Sequence, residues 1–394
     1  MLFRSAIKAK VDASAPGKIG AIAGDLASVE DMWALKRLMD GMETANIDCR
    51  QDGAKLDPAD GRASYLFNTT IAGIEDADAL LIIGANPRFE SSVLNARIRK
   101  RWRLGGFPIG VIGANEDLRY DAVYLGAGTE TLSDIDGASH EFYAALKNAS
   151  KPMIIVGQGA LAGTNGAAVL ASVAALAREI GAISEGWNGF NVLHNAASRV
   201  GGLDIGFVPG EGGQTAAEMA AGGVDVLFNL GADEIDVAAG PFVVYIGTHG
   251  DKGAHRADVI LPAAAYTEKS GTWVNVEGRA QTGSRAAFPP GDAREDWAIF
   301  RALSAVLGKT LPFDSLAALR QEMYQSHANY RSNAVVAADA SVITTLADRA
   351  GALTGGAFTS GFGDFYLSNP IARASKVMAE CSRLAQADHL EAAE

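Results

Sequence analysis

The chain has 394 residues, with 34 Lys and Arg against 46 Asp and Glu, a formal net charge of −12, and 48% hydrophobic residues. That length holds roughly two or three domains and a sizeable core, while the acidic balance lacks the basic footprint that nucleic-acid binding needs. Two cysteines, Cys49 and Cys381, exclude a multi-cysteine zinc site or iron–sulfur cluster supplied by this chain alone, and they suit a reducing cytosol.

The opening "MLFRSAIKAK" carries positive charge without a long apolar run or a small-residue cleavage site, so residues 1–16 read as a lead-in helix and not a signal peptide. No stretch approaches the 18 or more apolar residues of a spanning helix. From Lys18 onward one design recurs: a short aliphatic run, a glycine, a polar turn and a helical stretch. "KIGAIAGDLAS", "ALLIIGANPRFE", "PIGVIGANED", "MIIVGQGALAG", "VDVLFNLGADE" and "FVVYIGTHGDKG" all follow it. Apolar runs without alternation predict strands covered on both faces, joined by crossover helices in a parallel sheet. The expected fold is α/β, with two doubly wound parallel-sheet lobes. In "SVEDMWALKRLMDGM", Ser28 can cap, Asp31 sits at the third position and Gly41 lies near the stop.

"GGLDIGFVPGEGG", residues 201–213, is glycine-rich enough to pass between lobes, which predicts a first lobe over 17–205 and a second over 206–310. Residues 311–394 form an Ala-rich extension, helical or loose, ending in a helix capped by Asn369 with Pro370 at its first position. Ile371, Val377, Met378, Cys381 and Leu384 would make one apolar stripe there, with Cys381 a packed small hydrophobe. The basic run "RKRWR" at Arg99–Arg103 reads as a solvated helix end with one packed tryptophan.

Ligands of parallel α/β sheets bind beyond the carboxyl ends of the strands, so "GANPR", "GQGALAG", "GADE" and "GTHGDKGAH" lie where a ligand would be held. "GQGALAG" lacks the third glycine of the dinucleotide fingerprint. His249, Asp251 and His255 fall in a glycine-rich turn without metal-ligand register, and no G-x-S-x-G elbow or phosphate loop occurs. Lys269 beside Glu268 in "YTEKSGT" reads as part of an exposed pair.

"DADALLIIGANP", "RIRKRWRLGG", "ADVILPAAAYTEKSGTWVNVEGRAQ" and "PPGDAREDWAIFRALS" resemble, in order and spacing, the molybdopterin oxidoreductase family over residues 17–310. "NTTIAGIEDAD", "NPRFESSVLNARIRK" and "DFYLSNPIARASKVMAEC" look like one branch of it, the molybdopterin-oxidoreductase-like part of the large iron–sulfur subunit, the G subunit in bacteria, of respiratory NADH:quinone oxidoreductase, complex I. The resemblance departs at the metal: relatives place a Cys, selenocysteine, Ser or Asp ligand beyond an N-x-D segment. In "NIDCRQDGAK" Cys49 comes too early, Gly53, Ala54 and Lys55 stand near the ligand position, and Asp52 is a weak candidate.

The resemblance therefore implies a fold kept without metal or catalytic residues. Asn86, His249, Asp251, Glu268 and Asn275 are candidates for a relict pterin cleft that binds no cofactor. Iron–sulfur clusters would belong to an N-terminal part of the full subunit, from which this chain looks truncated or split. The implied partners are that cluster-bearing part and other peripheral-arm subunits of complex I, on the cytoplasmic face of a bacterial inner membrane or the mitochondrial matrix side. Two alternatives share the fold: an active molybdopterin enzyme with its ligand near Asp52, and a module binding a small ligand through its glycine-rich turns.

Overall fold

The computed structural model describes residues 2–138 and 140–391; the first residue of the lead-in segment and the last three of the extension lie outside them. A helix at Leu2–Ala13 leads into β1 (Ile19–Ala23) and β2 (Ile47–Asp48). Next come β3 (Ala79–Ile83), β4 (Ile109–Ile112), β5 (Val123–Gly126) and β6 (Pro152–Val156), then a small β7–β8 hairpin (Ile183–Ser184, Trp187–Asn188) and β9 (Phe190–Val192). The chain continues through β10 (Val226–Leu230), β11 (Phe242–Gly247) and β12 (Val259–Pro262) to an antiparallel hairpin, β13 (Gly271–Val274) and β14 (Ala280–Gly283).

Each of the six aliphatic runs singled out in the sequence is a strand, and β1, β3, β6 and β10 are buried at every position. Burying one such Ile, Leu or Val side chain contributes about 1.5–3 kcal/mol, so unbroken runs are what hold sheets covered on both faces. The strands form two five-stranded parallel sheets, ordered β12-β11-β10-β1-β2 and β5-β4-β3-β6-β9.

This order changes the expected division of the chain. Residues 17–205 do not form one lobe, because β1 pairs in register with β10, Ile19 opposite Val226 through Ala23 opposite Leu230. The sheet built from 19–48 and 226–262 is discontinuous, and the β3–β9 sheet is inserted within it. The expected linker at 201–213 is also no loose passage. It begins inside a buried helix, Arg199–Asp204, where a Cβ on Gly202 would lie 2.7 Å from Cys49 Sγ. The glycines there allow close helix packing as well as a change of direction.

Ser28 caps the helix Val29–Gly41 as expected, with Asp31 completing the reciprocal box. Behind that cap lies a feature the sequence conceals. Lys269 is buried, its Nζ 2.6 Å from both Asp31 Oδ2 and Asp296 Oδ2. It is not an exposed partner of Glu268. Burial disfavours its charge, but the two carboxylates outweigh that and raise its pKa, while burial and the nearby Asp31 charge raise that of Asp296. Glu30, equally buried, accepts from the Thr272 backbone and hydroxyl and from Arg320 Nε. These bonds lock the helix Val29–Gly41 onto the β13–β14 hairpin and onto the helices Asp296–Val306 and Leu316–Ser326.

The extension is ordered against both sheets. Asn369 caps a short helix, Pro370–Arg373, with Pro370 at its first position, and a helix at Lys376–Glu391 follows. The predicted stripe does not face the core: Val377 is 71% exposed and Leu384 49%, and Cys381 is half-buried. Ser382 is buried in its place. "RKRWR" ends the helix Ser92–Trp102, with Trp102 against Tyr120 at a ring separation of 6.5 Å. Among the described residues no helix is long and apolar enough to cross a membrane.

Lys269→Met leaves Asp31 and Asp296 buried without a counter-charge, and the expected loss of stability is about 3–5 kcal/mol near neutral pH. Urea unfolding checks it; a loss below about 1 kcal/mol would show that the triad is not what fixes these elements.

Candidate functional site

The carboxyl ends of both sheets turn toward a shared polar centre. From the discontinuous sheet come Asp25, beyond β1, and Gln51 and Asp52, beyond β2. From the inserted sheet come Gln158, beyond β6, and His194, beyond β9, followed by Ser198 and Arg199. These side chains sit at the places where an α/β sheet holds its ligand.

Arg199 organises the centre. Only 1% of its side chain is exposed, and Nη2 donates to Asp52 Oδ1 at 2.9 Å. Burial opposes its charge, but Asp52, Cys49 and Asp25 outweigh burial and raise its pKa, so it stays a cation. Burial likewise opposes the Asp52 carboxylate, and Arg199 overcomes that to hold its pKa below the ordinary aspartate value. Asp25 lacks such a bond, and burial pushes it up to about 6. Burial takes His194 down to about 4, so its imidazole is neutral at neutral pH. Its Nε2 lies 2.7 Å from the Tyr65 carbonyl, which assigns the proton to that nitrogen.

The family resemblance implies a pterin carrying molybdenum at this junction, and the side chains do not fit it. Cys49 is fully buried, with its thiol pushed up to about 12 by desolvation, so it offers no thiolate. Asp52 is engaged by Arg199, and Gly53, Ala54 and Lys55 supply no ligand oxygen or sulfur side chain. Around this centre, the buried side-chain atoms without a hydrogen-bond partner in the chain include Asp25 Oδ1, Gln51 Nε2 and Oε1, Gln158 Oε1, Ser198 Oγ and Arg199 Nε. That balance of donors and acceptors suits water and not a metal dithiolene. Among the described residues no group of three or more His, Cys, Asp or Glu is arranged to hold a metal ion.

The extension covers the same strand ends. Phe358 N–H donates to the Ala127 carbonyl beyond β5, Thr359 N–H to Gly159 beyond β6, and Asn195 Nδ2, beyond β9, to the Gly361 carbonyl. A Cβ on Gly159 would meet the Thr359 carbonyl oxygen at 2.0 Å, so the turn after β6 must be glycine for this strap to lie down. Farther along, Arg373 reaches the other sheet, pairing with Glu234 beyond β10 at 2.8 Å and with Asp251 beyond β11 at 2.6 Å.

The candidates named from sequence are dispersed. Asn86 caps the short helix Pro87–Glu90 beyond β3 and lines a cavity of about 320 Å³. Asp251 is held by Arg373, and His249 shares a hydrogen bond with the Thr248 hydroxyl. Glu268 Oε2 accepts from its own turn at Ala265 N, and Asn275 accepts from Arg279 N inside the β13–β14 turn. The last two hold their loops internally. The residues that do converge, Asp25, Gln51, Gln158, His194 and Arg199, are not among those candidates; their signal is position, as polar residues soon after strand ends.

Because Asp25 binds its proton more tightly when folded, it stabilises the fold least where it is ionised. Stability should fall as pH rises from about 4 to 6. Asp25→Asn should remove that fall and gain about 1–3 kcal/mol at pH 7. Chemical unfolding of both proteins across pH 4–8 checks it, with parallel curves counting against the assignment.

The molybdopterin oxidoreductase family model matches residues 4–306, and the C-terminal model of the NADH-ubiquinone oxidoreductase G subunit matches residues 329–381. The chain is 40% identical over 377 residues to the mitochondrial NADH dehydrogenase [ubiquinone] iron-sulfur protein 1 of Solanum tuberosum, a match covering 94% of this chain and 50% of that protein. It is 37% identical over 383 residues to the NADH-ubiquinone oxidoreductase 75 kDa subunit of Reclinomonas americana, covering 93% of this chain and 55% of that one. The NADH-quinone oxidoreductase G subunit of Rickettsia felis is 38% identical over 374 residues, covering 94% of this chain and 54% of its own length. The chain thus spans about half the length of the curated relatives it matches. Among solved structures, a chain of the formyltransferase/hydrolase complex from Methylorubrum extorquens superposes with a TM-score of 0.53 at 18% identity, covering 78% of this chain and 95% of that one, a likeness of fold alone. With one family profile covering both sheets and a second covering the strap and the start of the last helix, the chain belongs to the molybdopterin oxidoreductase family, in the branch represented by the G subunit of NADH-quinone oxidoreductase.

Proposed function

We propose that this chain is a non-catalytic structural part of the G subunit of an NADH-quinone oxidoreductase, packing beside the cluster-bearing part of that subunit and its peripheral-arm neighbours. Electron carriers work at fixed spacing in surroundings that exclude water, and a rigid body with close-packed sheets supplies both. NADH oxidation and quinone reduction belong to the whole assembly in this reading, on the cytoplasmic side of a bacterial membrane or its mitochondrial equivalent. The iron–sulfur clusters are held elsewhere in the subunit.

One observation carries the proposal: the chain's own side chains and strap occupy the strand ends around Arg199. Arg199 and Asp52 neutralise each other where the resemblance would put a metal ligand, and the strap at 354–373 lies over the ends of both sheets. The segment matched by the C-terminal model of the G subunit, 329–381, includes that strap. Closure of the inherited cleft thus coincides with the part of the chain that marks the branch. An active enzyme would need the strap displaced and the Arg199–Asp52 pair broken. Arg199 is buried while the Asp52 side chain is 35% exposed, so breaking the pair would strand the guanidinium more than the carboxylate.

The test is elemental and pterin analysis of the chain purified under mild conditions. The expected result is molybdenum and oxidised-pterin fluorescence far below one equivalent, together with co-purification of the chain with the other peripheral-arm subunits when expressed with them. Near-stoichiometric molybdenum or pterin would overturn the non-catalytic reading. Failure to enter the assembly would overturn the placement.

A further inference from the structure

The helix Ser92–Trp102 is firmly held on one side and open to solvent on the other. Leu94 and Ile98 are buried beneath it, Asn95 Nδ2 donates to the Leu118 carbonyl at 3.0 Å, and the Tyr120 hydroxyl donates to Asn95 Oδ1 at 2.8 Å. On the open side Val93 is 85% exposed, and Leu104, in the turn that ends the helix, is 76% exposed. That turn is fixed too: Arg101 Nη1 donates to the Gly105 carbonyl at 2.9 Å, and its guanidinium lies 4.7 Å from the Phe107 ring centre. Leu104 is therefore presented by an ordered backbone.

Val93, Ala96, Lys100 and Leu104 follow one another at steps of three, four and four, which sets them along a single side of the helix. Ala96, Lys100 and Leu104 line a shallow groove of about 350 Å³ together with Arg99 and Arg103. At a rise of about 1.5 Å per residue, the two apolar ends of this row stand about 16 Å apart.

Charge adds a second constraint. The helix and its turn carry Arg97, Arg99, Lys100, Arg101 and Arg103, in a chain whose net charge is −12. Glu75 pairs with Arg97 and with Lys100, whereas among the described residues Arg99, Arg101 and Arg103 make no ion pair. Arg99 Nε donates to the Arg119 carbonyl, and the Arg103 side chain makes no hydrogen bond. A solvated helix end accounts for the cations but not for large apolar side chains standing out at both ends of the same row. An extended peptide would gain no backbone ladder here, because the groups of a helix are bonded within it; a second helix laid along the row would cover both ends. Nucleic acid is disfavoured by the overall negative charge and by the packing of Trp102 against Tyr120, which takes the one aromatic ring of the helix out of stacking range.

We propose that this face docks an acidic amphipathic helix of a neighbouring polypeptide. Its carboxylates meet Arg99 and Arg103, and two of its apolar side chains, about three turns apart, cover Val93 and Leu104. The segment "NPRFESSVLNARIRK", by which the chain looks like the G-subunit branch, runs through most of this helix. The neighbour is accordingly a peripheral-arm subunit, an assignment that rests on the structural role proposed above; the chemistry of the face does not.

Fluorescence anisotropy of the full chain with a labelled helical peptide of Glu, Ala and Leu, its leucines along one side, tests that chemistry, with the same peptide carrying Lys for Glu as the comparison. The expected result is saturable binding of the acidic peptide alone, weakened about tenfold in Arg103→Glu and further in Arg99→Glu/Arg103→Glu. Leu104→Ser, which leaves every charge in place, should weaken it about fivefold. All three positions are exposed, so melting temperatures should stay near the parent value. Co-expression with the other peripheral-arm subunits tests the assignment: the parent chain enters the assembly, and the double variant enters it in lower yield. Unchanged peptide affinity in Arg103→Glu or in Leu104→Ser, or tighter binding of single-stranded RNA or of phosphatidylglycerol vesicles than of the acidic peptide, would overturn the docking face. A double variant that assembles as well as the parent would overturn the assignment of the neighbour and leave the structural role standing, whereas a parent chain that stays out of the assembly would strike that role and leave the peptide result to decide the face.

Discussion

The parallel pairing of β1 with β10 is the constraint on which the architecture rests. Two strands from the front of the chain, β1 and β2, complete a sheet whose other three members lie at 226–262, so everything between β2 and β10 must leave and return through one junction. That topology brings the carboxyl ends of the two sheets face to face. It also explains why the polar centre draws on segments as distant as Asp25 and Arg199. Loop-closure entropy grows only slowly with length, which makes so long an insertion tolerable.

Two buried cations secure the junction in different ways. Lys269 joins carboxylates from the starts of two helices and works as a structural clasp. Arg199 bonds Asp52 and is held as a cation by the charges of Asp52, Cys49 and Asp25. A buried ion pair is a poor source of net stability, but removing either member is costly. The charge pair holds this part of the junction in a fixed geometry.

Much of the fold is legible in the sequence because the strands in these sheets are covered on both sides and therefore spell continuous aliphatic runs. The capping pattern at Ser28 and Asp31 is equally local, and so is Asn369 before Pro370. The partnership of β1 is not, since nothing within "IGAIA" says which strand lies beside it. Strands as short as β2 and β9 carry too few residues to show a pattern. Lys269 departs from its expected exposure for a related reason: its burial is set by carboxylates 27 and 238 positions away, while its neighbours "TEKSG" look like an exposed turn. The polar centre is hidden the same way, because Gln51, Gln158 and His194 acquire meaning only when two sheet edges meet. The resemblance reaches the family through the late loop around Asn275, whose side chains serve the hairpin and not the cleft.

The strap lies after both sheets in the chain, which sets an order of events during synthesis. The ribosome releases all ten sheet strands before it releases the residues that cover their ends, and domains generally form as units while the chain emerges. For that interval the turns at Ala127, Gly159 and Asp251 are bare. That surface is open only until the last segment folds down and closes it.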